Sequence, residues 1–69
     1  MRLSTRNQLT GKIANIEKGE AMAVVKVDLD GGSTVTSAIT LDAAKDLGLE
    51  VGKAVTVLIK ATDVALGVD

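Results

Sequence analysis

The chain has 69 residues, 8 basic against 9 acidic side chains for a formal net charge of −1, and no Cys, His or aromatic residue. Without Cys or His, zinc, haem, iron–sulfur and thiol chemistry have neither ligands nor nucleophiles, so no protein-ligated metal cation and no cofactor is expected. The balanced charge gives no electrostatic footprint for nucleic acid or an anionic membrane, and no stretch approaches the length of a membrane span.

The first notable stretch is Ser4-Thr5-Arg6-Asn7-Gln8-Leu9, polar at five of six positions and rich in hydrogen-bond donors. It reads either as a solvated lead-in to the first strand or as donors gathered around a small oxyanion, which Arg can grip bidentately. Leu9, Gly11 and Ile13 then alternate with polar neighbours as in a strand. Ile16 falls on the opposite parity to Ile13, which predicts a bulge near Asn15 or apolar contacts on both faces. Glu17-Lys18-Gly19-Glu20 is the expected turn. Ala21, Ala23, Val25, Val27 and Leu29 share one face of a long second strand, with Met22, Val24, Lys26, Asp28 and Asp30 on the other. The apolar start of that second face predicts cover by another subunit.

Asp30-Gly31-Gly32-Ser33 predicts a tight two-residue hairpin turn. A third strand follows over Thr34–Thr40. From Leu41 the period changes: Leu41, Ala44 and Leu47 predict a short helix, with Thr40 or Asp42 as its N-cap and Gly48 ending it. Ala54–Lys60 reads as a strand with Val55, Val57 and Ile59 inward, and Asp63–Gly67 as a last short strand through Val64 and Leu66.

The prediction is one domain over residues 1–69, mainly β: a small five-stranded OB-like barrel with one short helix between strands three and four. Sm-like and SH3-like barrels fit the same periodicity. The core would be built from Val, Ile, Leu, Ala and Met alone, each burying less area than an aromatic ring. A thin core without disulfide or metal predicts a homo-oligomer. No apolar run follows the first charged residues, so no secretory signal is read and a cytoplasmic protein is expected.

Catalysis has little to work with. There is no His base, no G-x-S-x-G elbow and no Gly-rich phosphate loop, and the carboxylates Asp28 and Asp30 read as a solvated strand face. An OB-like barrel raises the prospect of single-stranded nucleic acid, but the aromatic stacking platforms such binding uses are missing. A small hydrophilic anion remains, held by converging N–H, hydroxyl and cationic groups. Three clusters supply these: Ser4–Gln8, the strand-to-helix junction at Thr40, and Lys60-Ala61-Thr62. Thr40 reads equally as a plain helix cap, although a helix N-terminus also offers free N–H groups. Taken alone, Lys60 reads first as a solvated strand-end charge and Thr62 as a turn residue.

Across its length the chain resembles the molbindins, the Mop-type molybdate-binding proteins with a TOBE, or molybdate-binding OB-like, domain. The resemblance rests on S-T-R-N-Q-L at 4–9, G-K-I at 11–13, K-G at 18–19, S-A-I-T-L-D at 37–42, D-L-G-L at 46–49, V-G-K at 51–53 and L-I-K-A-T-D-V at 58–64, in that order. It implies reversible binding of molybdate, and usually tungstate, by a homohexamer built as a trimer of dimers, with oxyanion sites where subunits meet. It further implies that Ser4 and Arg6 are the donors of the S-x-R-N element, Thr40 the strand-end hydroxyl, and Lys60 with the Ala61 backbone the K-A element. Several relatives carry Ser two residues before the position of Lys45, where this chain has Ala43, so one side-chain donor is absent or replaced by backbone. The expected function is storage or buffering of molybdate without catalysis. The alternatives are an OB-like nucleic-acid-binding module and a purely structural oligomerisation domain.

Overall fold

The computed structural model describes the whole chain, Met1–Asp69. Four strands, β1 (Asn7–Lys18), β2 (Met22–Leu29), β3 (Thr34–Thr40) and β4 (Ala54–Ile59), form one antiparallel sheet in the order β3-β2-β1-β4. A single helix, α1 (Leu41–Asp46), lies between β3 and β4 in the chain. The sheet curls into a half-barrel whose two edge strands, β3 and β4, are not paired with each other.

The curl originates in β1, which is long enough to serve two partners. Its first half, Asn7–Lys12, pairs with β4, and Gly11–Lys18 pairs with β2. At the overlap Gly11 faces both Leu29 and Val55. A Cβ on Gly11 would run into the Asp28 carbonyl oxygen and lie 3.0 Å from Leu29 Cα, so glycine is what lets β2 approach there. The bulge falls between Ile13 and Asn15, with Ala14 as the extra residue. It resets the parity, so Ile13 opposite Val27 and Ile16 opposite Val25 both face inward. The displaced backbone of Ile13 is satisfied from the other side: its N–H donates to Lys53 O at 3.0 Å and its carbonyl accepts from Gly52 N at 2.7 Å.

The β2–β3 hairpin differs in detail from the two-residue turn expected. Gly32 N donates to Leu29 O at 2.9 Å and Leu29 N to Ser33 O at 2.8 Å, which encloses the three residues Asp30-Gly31-Gly32. Only Gly32 has positive φ, +100°, as a three-residue loop closed by a glycine bulge requires. Helix α1 is capped at both ends. Thr40 Oγ1 accepts from Ala43 N at 3.1 Å. At the C-terminus, Gly48 (φ +62°) donates to Lys45 O and Leu49 N to Ala44 O, the paired bonds of a Schellman motif. Lys53 Nζ adds bonds to Leu47 O and Gly48 O at 2.8 and 3.2 Å.

The core is thin, as the missing aromatics require. Ile13, Val25 and Val27 form its centre, Ala23 and Ala44 are also buried, and half-buried residues including Ile16, Ile39, Val55 and Val57 pack around them. Between β3 and β4 a cleft of about 220 Å³ exposes this core.

The fifth strand expected at Asp63–Gly67 is not formed. A 3₁₀ turn, Ala61–Asp63, is closed by Asp63 N to Lys60 O and Val64 N to Ala61 O. It ends the run of β4, and Val64–Asp69 continues without regular structure, with Leu66 94% and Val68 99% exposed. The tail pairs with neither of the two edge strands of its own chain. No helix is long and apolar enough to cross a membrane.

Candidate oxyanion-binding site

The register of β1 with β4 decides where the cationic residues lie. Asn7 pairs with Ile59 at the end of that ladder. Arg6 directly precedes Asn7 and Lys60 directly follows Ile59, so the antiparallel arrangement sets the two cations on adjacent strand ends. Asn7 Nδ2 donates to Ile59 O at 3.1 Å and fastens the junction. Gln8 Nε2 donates to Thr5 O at 2.9 Å and folds the preceding segment back on itself. Neither Arg6 nor Lys60 spends its side chain on a hydrogen bond within the chain, and both are exposed. Ser4 lies two residues further out, likewise exposed and without a side-chain partner.

Lys60 is extended (φ −62°, ψ 134°) and leads into the 3₁₀ turn, whose closing bonds use the amides of Asp63 and Val64. The Ala61 amide is drawn into none of the turn, loop or cap bonds. Four of the five candidates, Ser4, Arg6, Lys60 and Ala61, therefore belong to one end of the molecule and keep their donors free.

Thr40 does not join them. It pairs with Met22, while Ala23 pairs with Lys18 at the far end of β1. The 12 residues of β1 therefore separate Thr40 from Arg6, on the order of 40 Å of strand path at about 3.3 Å per residue. The hydroxyl of Thr40 has its acceptor side occupied by the Ala43 N–H, which leaves its own O–H to donate outward.

The free amides expected at the start of α1 are mostly engaged. Leu41 N donates to Ala21 O at 2.8 Å, and Ala43 N is held by Thr40. Ala43 therefore brings neither a side-chain donor nor a free amide to this end.

Asn7 was not singled out by sequence reasoning. The signal was there: it shares the parity of Leu9, Gly11 and Ile13, so it is a polar side chain on the inward-facing register, and it is half-buried.

The TOBE domain family matches residues 3–66. The chain belongs to that family. A probable molybdenum-pterin-binding protein of Haemophilus influenzae is 48% identical over 69 residues, covering 100% of both chains. Among solved structures, MopII from Clostridium pasteurianum in an apo form superposes with a TM-score of 0.92 at 39% identity, covering 97% of this chain and 100% of that one. The cytoplasmic molybdate-binding protein ModG with molybdate bound gives a TM-score of 0.95 at 45% identity, covering 100% of this chain and 49% of ModG. The molbindin kinship read from the sequence is thus established, and these TOBE relatives are binding proteins, not enzymes.

Proposed function

We propose that this protein binds molybdate, and tungstate with it, in the cytoplasm, storing or buffering the oxyanion at sites completed by two copies of the chain. The observation that carries the reading is the β1–β4 register, which sets Arg6 beside Lys60 with both cations and the Ala61 amide unengaged. A tetrahedral dianion leaves water only where donors converge on all its oxygens. Ser4, Arg6, Lys60 and Ala61 cover one side. Thr40, at the other end of β1, reaches the same anion only from a neighbouring chain, in agreement with a site at a subunit contact. The molybdate ligand of ModG and the molybdenum-related names of the other relatives support the choice of anion.

Assembly has its own support. The open cleft between β3 and β4 is lined by core residues, and the apolar tail residues Leu66 and Val68 find almost no cover within the chain. In our reading the fifth strand forms in the oligomer, with Val64–Leu66 of one chain closing the seam of another and the hexamer built from such pairs.

The test is calorimetric titration of the purified protein with molybdate, tungstate, sulfate and a single-stranded oligonucleotide, with the mass in solution measured alongside. Heat with molybdate and tungstate, saturating at a fixed ratio to a multimeric species, is the expected result. A monomer, or heat with the oligonucleotide alone, refutes the reading.

A further inference from the structure

Asn7 is the side chain that stands between the two cations without being either. Its Nδ2 donates to the carbonyl of Ile59 at 3.1 Å across 52 residues of sequence, at the last rung of the β1–β4 ladder. The next rungs of the same parity, Leu9 with Val57 and Gly11 with Val55, carry no side-chain donor. Strand ends open most readily, because the terminal rung has a neighbour on one side only. Here the segments beyond that rung, residues 1–6 and 60–69, are almost wholly exposed and make few bonds to each other.

From this we infer that Asn7 is a positioning residue for anion binding, its amide holding the ends of β1 and β4 together so that the Arg6 guanidinium and the Lys60 ammonium face one oxyanion. The inference rests on the proposed anion site and deepens it. Two like charges on adjacent strand ends repel, and in the absence of anion nothing else in the chain draws Arg6 towards Lys60. A strand end free to open would separate them and leave the convergence to be created by the anion itself, at the cost of ordering both segments on binding. The side-chain bond performs that ordering in advance. The role is distinct from ligation, since the bonded N–H of Asn7 is directed at protein backbone.

The test is a double-mutant cycle read by molybdate titration, comparing the parent, Asn7→Leu, Arg6→Ala and the double variant, with the thermal midpoint and solution mass of each recorded without anion. Leu keeps the size and inward face of Asn7 but cannot donate. Asn7→Leu should weaken molybdate binding by about fivefold or more, and in the Arg6→Ala background the same change should have less than half that effect. Equal loss in both backgrounds would mean a general structural role and overturns the proposal, as would binding within twofold of the parent. If Asn7→Leu does not assemble, Asn7→Val, a strand-favouring residue that also lacks a donor, replaces it in the same cycle under the same criteria. A parent protein that takes up no molybdate refutes the function itself, whereas a binding parent with an indifferent Asn7 refutes this inference alone.

Discussion

Gly11→Ala tests the account of how this small sheet curls. A Cβ at that position would overlap the Asp28 carbonyl oxygen and stand 3.0 Å from Leu29 Cα, where ordinary contacts begin at 3.4 Å. Both obstacles are backbone, so no side chain can swing away. Relief requires β2 to retreat from β1 beside the bond from Asp30 N to Thr10 O, now 3.0 Å. Overpacking costs about 1–3 kcal/mol, and a weakened backbone bond adds about 1 kcal/mol, for a total of roughly 2–4 kcal/mol. A domain of this length is stable by only about 3–10 kcal/mol. The melting temperature should fall by roughly 10–25 °C.

Far-UV circular dichroism is the appropriate probe, because a chain with no aromatic residue has no intrinsic fluorescence to follow. Protein concentration must be matched, since self-association would raise the apparent stability of both proteins. Gly31→Ala is the control: a Cβ there meets nothing within 4 Å and Gly31 has no positive φ, so its effect should stay within about 0.5 kcal/mol. If Gly11→Ala melts within about 3 °C of the parent, the strand crossing does not depend on glycine and the reasoning is wrong.

Three further outcomes follow from the same structure. Thr40→Ala removes the hydroxyl that accepts from Ala43 N and should cost about 1 kcal/mol in denaturant unfolding, whereas Thr40→Ser keeps the cap and should cost a few tenths. Ile13→Ala empties the centre of the core, where Ile13 is 2% exposed, and should destabilise by about 2–5 kcal/mol in the same assay. Leu66→Asp alters a side chain that is 94% exposed in its own chain, so the strand content by circular dichroism should be unchanged. If Leu66 closes the seam of a neighbour, losing about 2 kcal/mol of burial per chain weakens association roughly thirtyfold, as read by sedimentation over a dilution series.

Local alternation carried much of the fold. The inward face of β2, the parity reset between Ile13 and Ile16, and the Thr40 and Gly48 boundaries of α1 are all short-range patterns, and short-range physics enforces them. The hairpin was placed correctly but its loop was not, because Gly-Gly permits positive φ at two positions and only the strand register shows that Gly32 alone uses it. The tail was misread for a related reason. Val64 and Leu66 alternate as a strand would, yet alternation says which side wants cover and nothing about which edge supplies it. At the candidate site the residues came from family resemblance. The adjacency of Arg6 and Lys60 depends on a pairing across more than fifty residues that periodicity does not encode.

The distribution of free donors explains why one chain would not suffice. A helix start is an obvious anion site from sequence, yet α1 has committed the Leu41 amide to Ala21 and the Ala43 amide to Thr40, and it carries the negative charge of Asp42 in its first turn. What remains at that end is the Thr40 hydroxyl, which can donate a single bond, and the Asp42 amide on the residue that carries the acidic side chain; neither supplies positive charge. The opposite end holds two unengaged cations, the Ala61 amide and the Ser4 hydroxyl, which approach a dianion from one side only. Placed together, the two ends complement each other in charge and in hydrogen bonding; kept apart by β1, neither can desolvate an oxyanion. The length of β1 therefore bears on the curl of the sheet and, in the proposed site, on the need for a second chain.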